Sequence, residues 1–193
     1  MLEEGRLVQF GSPEDIYFHP ATPFVARFTG LAGELRVKIV GQADDGLVEV
    51  TAPGCSFPRL RAAGGPGSPA VSFEAGADAV LAIRPTGVSV ARGGSEERHL
   101  TGRVADVAFR GRGYELAIDL PGHGRLTGVF ARHRTVRGEE VALRLEPDGC
   151  HLFPAAPGAG TASGAGPNGC VCSRSRLRLA ERHGGTGGIT SAG

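Results

Sequence analysis

Residues 100–120 run Leu100-Thr-Gly-Arg-Val-Ala-Asp-Val-Ala-Phe-Arg-Gly-Arg-Gly-Tyr-Glu-Leu-Ala-Ile-Asp-Leu120 and carry the densest β-strand pattern of this 193-residue chain. Two strand-like runs, Leu100 to Phe109 and Tyr114 to Leu120, flank the turn sequence Arg110-Gly-Arg-Gly113. Strand-forming runs separated by a short glycine-containing loop predict a β-hairpin. This hairpin is the centre of the fold that we expect.

Short strands of the same kind are predicted on both sides of this hairpin. They cover residues 33–40, 47–50 after the turn Asp44-Asp-Gly46, 79–85, 88–90, 125–130 after the turn 121–124, 141–145, and 151–153 after the turn 147–149. The chain has 32 glycines and 13 prolines, which favour many short strands over long helices. Seven or more such strands predict a small, closed or partly closed antiparallel barrel, because closure removes exposed sheet edges.

The N-terminal block predicts a strand followed by two short helices. Gly5 to Phe10 has the apolar pattern of a strand. Ser12-Pro13 supplies an N-cap and a first-turn proline, and Pro20 ends that helix. Thr22-Pro23 repeats the start signal, and Gly30 closes the second helix. The fold class is therefore mainly β, with this block placed before the barrel.

Composition divides the chain into three regions. We expect residues 1–30 to form the N-terminal block and residues 31–154 to form the barrel domain, with a flexible Gly/Pro insertion at 62–69. Residues 155–193 are rich in Gly, Ala, Ser and Pro, so we expect a disordered tail with at most a brief helix at 177–182.

Several classes of function are disfavoured by the sequence. The net charge is +1 and the arginines are scattered, so we expect no nucleic-acid partner. No apolar run is long enough for membrane insertion. The cysteines lack metal-site spacing, and the histidines lack the context of an enzyme site, so we expect no catalytic residue, metal or cofactor. These residues are Cys55, Cys150, Cys170 and Cys172, and His99, His123, His133 and His151.

Residues 3–30 resemble the end of the nucleotide-binding domain of ABC import ATPases. In that family the block reads roughly Gly-x-[Ile/Leu]-x-Gln-x-Gly-x-Pro-x-x-[Ile/Leu]-Tyr, then a Pro, then Phe-Val-Ala-x-Phe-x-Gly. The matching positions, in order, are Gly5, Leu7, Gln9, Gly11, Pro13, Ile16, Tyr17, Pro20, Phe24, Val25, Ala26, Phe28 and Gly30. The resemblance implies that Ile16, Tyr17, Phe24, Val25 and Phe28 face a nucleotide-binding domain.

A second resemblance covers the β region, so that the two together extend over about residues 1–154. Leu81-Ala-Ile-Arg-Pro85, residues 102–111, residues 138–145 and Leu152-Phe153 are similar to strands of the transport-associated OB (TOBE) domain of the same ATPases. Thr86 stands where that family usually has Glu, so contacts made by that carboxylate do not carry over.

The resemblance implies the C-terminal portion of an ABC importer ATP-binding subunit of the polyamine, iron, sugar or sulfate type. The chain is then either part of a longer subunit or a truncated product. It lacks a Gly-x-x-x-x-Gly-Lys-[Ser/Thr] loop, a Leu-Ser-Gly-Gly-Gln signature and an apolar run ending in Asp-Glu. We therefore expect no ATP hydrolysis by this chain, with ATP and magnesium acting only in a full-length subunit.

The implied function is a non-catalytic regulatory and dimerisation domain. Its partners would be the permease and a nucleotide-binding domain, with a homodimer as a further candidate, at the cytoplasmic side of the inner membrane. The alternative is a stand-alone module that binds oxyanions such as molybdate, although the Ser-Ala-Arg-Asn start of such modules is not found.

Five residues are candidates for interface or regulatory roles: Arg84, Pro85, Tyr17, Phe24 and Phe28. Because Pro85 holds Arg84 extended at the end of a buried strand, the guanidinium is placed to clamp a carboxylate. That carboxylate would lie either across the barrel, as an intramolecular pair, or across a dimer.

Overall fold

The computed structural model describes residues 1–42, 47–55, 57, 60–61, 73–91 and 100–155. The predicted turn at 44–46, the insertion at 62–69 and the tail from 156 onward lie outside the described residues, as do His99, Cys170 and Cys172.

Short strands make up most of the described structure. The strands are β1 Leu2–Glu3, β2 Arg6–Leu7, β3 Gly33–Gln42, β4 Leu47–Thr51, β5 Leu60–Arg61, β6 Asp78–Ile83, β7 Val88–Val90, β8 Leu100–Phe109, β9 Tyr114–Leu120, β10 Gly124–Ala131, β11 Glu140–Leu145 and β12 Cys150–Pro154. The helices are α1 Pro13–Phe18 and α2 Pro23–Phe28, with 3-10 helices at Pro85–Gly87 and Pro147–Gly149. In the part of the chain described, no helix is long and apolar enough to cross a membrane.

Five strands close into a barrel in the order β10-β7-β11-β8-β9. The predicted hairpin forms its centre, with Phe109 opposite Tyr114 and Val104 opposite Ile118. The prediction of a closed barrel is confirmed, but the all-antiparallel prediction is wrong in one pairing. β7 and β10 run parallel and pair at Phe130 and Ser89, because strand directions cannot alternate at every pairing in a closed ring of five strands.

The remaining strands form a second sheet in the order β12-β6-β3-β4-β5. The predicted hairpin of β3 and β4 is confirmed, with Ile39 opposite Val50. The sequence did not predict that these strands would lie in a sheet of their own. This division depends on the pairing of β12 with β6 and of β6 with β3, and those strands are far apart along the chain.

One hydrophobic core is shared by the barrel and the sheet. It includes Leu35, Leu81 and Leu152 of the sheet and Ile118 and Leu143 of the barrel, all nearly or fully buried. Strands β3 and β10 join the two units, since the Thr127 amide donates to the Ala32 carbonyl at 2.8 Å. The alternation of each strand places its apolar face in this common interior.

The strand predicted from Gly5 to Phe10 is confirmed only at Arg6–Leu7. Glu4 and Gly5 both have positive φ, 48° and 79°, and form a tight turn that pairs Leu2 with Leu7. A two-residue turn of this kind reverses the chain at once and starts a small hairpin. The strand pairing therefore ends at Leu7, before the residues that were expected to continue it.

The start signals of both helices are confirmed. The Ser12 hydroxyl accepts from the Asp15 amide, and the Asp15 carboxylate accepts from the Ser12 amide, which completes a capping box. The Thr22 hydroxyl accepts from the Val25 amide. Helix α1 ends at Phe18 and α2 at Phe28, as the signals at Pro20 and Gly30 predict.

Candidate functional site

Arg84 lies between the second sheet and the N-terminal helices, and its side chain is only 1% exposed. It directly follows β6, whose Leu81 and Ile83 point into the shared core. Ala82, on the opposite face of β6, packs against Ala26 of α2 and Phe153 of β12. By the same alternation, Arg84 points towards the helices.

The Arg84 guanidinium binds three backbone carbonyls of the N-terminal segment. Nη1 donates to the carbonyls of Ala26 at 3.0 Å and of Gly30 at 2.7 Å. Nη2 donates to the Tyr17 carbonyl at 2.7 Å. The guanidinium carbon also lies 4.3 Å from the centroid of the Tyr17 ring, at the distance of a cation–π contact.

The prediction that Arg84 binds a carboxylate is therefore wrong, because its acceptors are backbone carbonyls at the ends of the two helices. The last carbonyls of a helix have no partner within the helix and carry partial negative charge. Tyr17 lies in the last turn of α1, and Ala26 and Gly30 lie at the end of α2. One buried cation thus satisfies both helix ends, and burial lowers the pKa of Arg84 from its ordinary value.

Two of the five candidate residues, Arg84 and Tyr17, meet at this point. Pro85 follows Arg84 in the chain and lies near Gly128 of β10. Phe24 and Phe28 instead contact each other, with ring centroids 6.1 Å apart. Phe28 is 72% exposed, and Phe24 is half-buried.

The prediction that all five N-terminal apolar residues face a nucleotide-binding domain is wrong for Val25. Val25 is fully buried, as is the adjacent Ala26, because α2 packs on the outer face of the second sheet. Ile16, Tyr17 and Phe24 are half-buried, so Phe28 is the one of the expected five that is mainly exposed. The helices therefore dock on the β domain of this same chain.

His151 belongs to the same cluster, although the sequence alone did not connect it with Arg84. It lies opposite Ala82 in the sheet and is buried, with its Nε2 atom lacking a hydrogen-bond partner in the described structure. Burial, together with the smaller effects of the charges of Arg84 and His19, lowers the pKa of His151 to about 4. His151 is therefore neutral at pH 7. The signal in the sequence is its position between Cys150 and Leu152, which both face the core.

Two glycines near Arg84, Gly87 and Gly149, allow two backbone segments to pack directly against each other. The Arg84 amide donates to the Gly149 carbonyl at 2.8 Å. A Cβ atom on Gly87 would lie 2.5 Å from the Gly149 carbonyl oxygen, and one on Gly149 would lie 2.2 Å from the Gly87 Cα. Only glycine fits such an approach. The signal in the sequence for this contact is the repeated Pro-x-Gly of Pro85–Gly87 and Pro147–Gly149.

The other candidates for chemistry are dispersed. His123 binds the Pro53 carbonyl at 2.9 Å, and His133 is exposed. Burial raises the pKa of the Cys150 thiol to about 12, which makes it unreactive. Within the described ranges, no group of three or more His, Cys, Asp or Glu side chains could hold a metal ion.

Comparison with known proteins identifies the β region. Residues 81–153 match the family model of the TOBE domain. A crystal structure of the cytoplasmic molybdate-binding protein ModG, with molybdate bound, superposes with a TM-score of 0.50 at 14% identity. That match covers 64% of this chain and 96% of the ModG chain, and at this identity it shows a shared fold.

Curated relatives extend the similarity into the N-terminal segment. The spermidine/putrescine import ATP-binding protein PotA of Borreliella afzelii (strain PKo) is 29% identical over 161 residues, which cover 79% of this chain and 39% of PotA. PotA of Nitratidesulfovibrio vulgaris is 31% identical over 130 residues, which cover 65% of this chain and 33% of that PotA. The Fe(3+) ions import ATP-binding protein FbpC of Escherichia coli (strain K12) is 27% identical over 154 residues, which cover 79% of this chain and 39% of FbpC.

The matched region thus spans less than two fifths of the length of these relatives. The chain is homologous to the C-terminal parts of the ATP-binding subunits of ABC importers for polyamines and iron, and its residues 81–153 form a TOBE domain.

Proposed function

We propose that this chain is the non-catalytic regulatory and dimerisation part of the ATP-binding subunit of an ABC importer for a small solute. The observation that carries the proposal is the Arg84 contact. A residue of the TOBE domain binds the ends of both helices in the segment that resembles the end of a nucleotide-binding domain. Movement of those helices would therefore be transmitted to the β domain.

The outer side of the N-terminal segment supports docking of a nucleotide-binding domain. Phe10 is 91% exposed, Phe18 is 50% exposed and Phe28 is 72% exposed. Burial of a side chain of this size contributes roughly 1.5–3 kcal/mol, so covering these rings would stabilise an interface. The occupant that we propose is the ATP-binding part of the subunit, because the relatives are more than twice as long as their matched region.

This assignment carries further proposals about partners and location. The full subunit would bind ATP and magnesium in its nucleotide-binding domain, associate with the permease and lie on the cytoplasmic side of the inner membrane. Dimerisation through the β domain belongs to the same proposal.

A chimera tests this function. Residues 1–193 would replace the homologous C-terminal part of Nitratidesulfovibrio vulgaris PotA, and ATP hydrolysis and co-purification with the cognate permease would be measured. We expect the chimera to hydrolyse Mg-ATP and to bind the permease. An Arg84→Met chimera should keep ATP binding but lose stimulation by the permease, because the helices are no longer held to the β domain.

Two results would contradict the proposal. One is micromolar binding of Mg-ATP by the isolated 193-residue chain in isothermal titration calorimetry. The other is a chimera that folds and binds ATP but does not associate with the permease under conditions in which intact PotA does.

A stand-alone oxyanion-binding module is the second candidate, and the shared fold with ModG is the observation that favours it. Titration of the chain with molybdate and with sulfate separates the two candidates. Saturable molybdate binding at micromolar concentration, together with failure of the chimera, would favour this module over the transporter subunit.

A further inference from the structure

A groove of about 1220 Å³ runs along the line where the barrel closes, between β7 and β10. These two strands share the single paired position of Phe130 and Ser89. Val88 and Val90 lie along one side, and Pro85 and Thr86 lie at one end. The opposite side is formed by the β8–β9 turn and by the residues after β10.

The groove concentrates positive charge that looks scattered along the sequence. Arg110, Arg112 and Arg132 all line it, and Glu115 is the one acidic residue among its described lining. Arg110 Nε lies 2.8 Å from the Glu115 carboxylate, so these two charges neutralise each other. Within the described part of the chain, neither Arg112 nor Arg132 forms an ion pair, which leaves two cations in the groove.

Arg112, although exposed, lies over the Phe130 ring. Its guanidinium carbon lies 5.4 Å from the centroid of the Phe130 ring. The ring rests on Gly113, where a Cβ atom would lie only 2.4 Å from Phe130 Cζ. Because the arginine is already stacked, less side-chain entropy is lost when it binds a partner.

We propose that this groove binds an extended acidic segment of a partner protein. Arginine side chains bind carboxylates through paired hydrogen bonds, and the half-buried Pro85 and Val90 offer apolar surface to the side chains that alternate with those carboxylates in an extended chain. A nucleic acid fits less well. Two unpaired arginines are too few to follow a phosphate backbone, and Arg112 covers the Phe130 ring on which a base would stack. The proposal does not depend on the proposed transporter function.

Fluorescence anisotropy with a defined peptide tests the proposal on the full chain. The probe is a fluorescein-labelled octapeptide of alternating Glu and Val. We expect saturable binding that weakens as salt is raised, since the contacts are between exposed charges. The double variant Arg112→Gln/Arg132→Gln should weaken binding by about tenfold, which corresponds to about 1.4 kcal/mol.

The matched control is the double variant Arg6→Gln/Arg103→Gln, which removes the same charge from exposed positions outside the groove. It should bind the peptide as the unchanged protein does. Absence of binding by the unchanged protein would overturn the proposal, as would equal weakening in both double variants. Tighter binding of an oligothymidylate that depends on Arg112 and Arg132 would assign the groove to nucleic acid instead. A dimer that dissociates only in the groove variant would assign it to a second copy of this chain.

Discussion

Arg84 shows how one buried charge can be accommodated without a counter-ion. Its two Nη atoms bind three carbonyls at helix ends, and its planar group stacks on Tyr17. Helix C-terminal carbonyls supply both acceptors and negative potential to this buried cation. The Nε atom of Arg84 is buried without a hydrogen-bond partner in the described structure, so part of its desolvation cost is not offset. The residue therefore fixes the position of the N-terminal helices on the β domain.

Replacing Arg84 by Met should test this account directly. The variant removes the Arg84 donor from three carbonyls, of which that of Ala26 keeps the Thr29 hydroxyl at 3.2 Å, and we expect it to lose about 3 kcal/mol of unfolding free energy. Urea unfolding followed by circular dichroism measures the loss, and hydrogen exchange should accelerate in residues 23–28 but not in residues 100–120. The exposed Arg103→Met is the control, with a change within about 0.5 kcal/mol. Equal stability of the two variants would contradict the role given to Arg84.

His151 should make stability depend on pH in a defined window. Its pKa is about 4 in the folded chain, against the ordinary value of 6.5. Between these values the unfolded chain binds more protons, so the stabilisation is complete above about pH 6.5 and is lost as the pH falls towards 4. The loss is on the order of 3 kcal/mol. His151→Phe should flatten this part of the pH profile measured by urea unfolding, whereas an unchanged slope would show that other groups cause it.

At the scale of elements, the two 3-10 helices form a close backbone contact. Pro85–Gly87 and Pro147–Gly149 meet at their glycines, with the Glu146 amide donating to the Gly87 carbonyl at 2.9 Å. Each proline presets the turn, and each glycine removes the side chain that would separate the two backbones. This contact brings the start of β12 beside the end of β6, and so positions His151 near Arg84.

Gly149→Ala should therefore be costly although it adds one methyl group. The new Cβ would overlap the Gly87 backbone, and we expect a loss of about 3 kcal/mol, which thermal or urea unfolding would detect. Gly41→Ala is the matched control, because nothing lies within 4 Å of its Cβ position. That variant should be neutral or slightly stabilising. Similar destabilisation of both variants would contradict the close-contact explanation.

At the scale of the whole molecule, the barrel and the second sheet share one core and should unfold together. Leu126 of β10 is fully buried and touches the position of Gly33 in β3. We expect Leu126→Ala to lose about 3 kcal/mol in a single transition, whereas Leu7→Ala, at a 66% exposed position, should change little.

The two tyrosines provide separate probes of this cooperativity. Tyr17 lies at the helix–sheet contact and Tyr114 lies in the barrel, and the chain has no tryptophan. Tyrosine fluorescence of Tyr17→Phe and of Tyr114→Phe should report the same urea midpoint after correction for the stability of each variant. Two separate midpoints would show that the barrel and the helix–sheet unit unfold independently.

Much of the local structure could be predicted from the sequence, because local signals specify it. The strand bounds Leu100–Phe109 and Tyr114–Leu120 were predicted to the residue, since alternation and glycine turns are properties of neighbouring positions. The caps at Ser12 and Thr22 follow from side-chain oxygens that reach an amide three residues ahead. The strand predicted from Gly5 to Phe10 forms only at Arg6–Leu7, where the turn at Glu4 and Gly5 pairs it with Leu2 and Glu3.

The contacts of the candidate site could not be predicted from such local signals. The sequence indicated that Arg84 is a buried, extended arginine, but its acceptors lie 54 to 67 residues away along the chain. Three further features also depend on contacts between residues that are not neighbours in the sequence. They are the partition of strands between a barrel and a sheet, the burial of Val25, and the clustering of Arg110, Arg112 and Arg132 in one groove. Periodicity states which face of an element is apolar, whereas the partner of that face is selected by the packing of the whole chain.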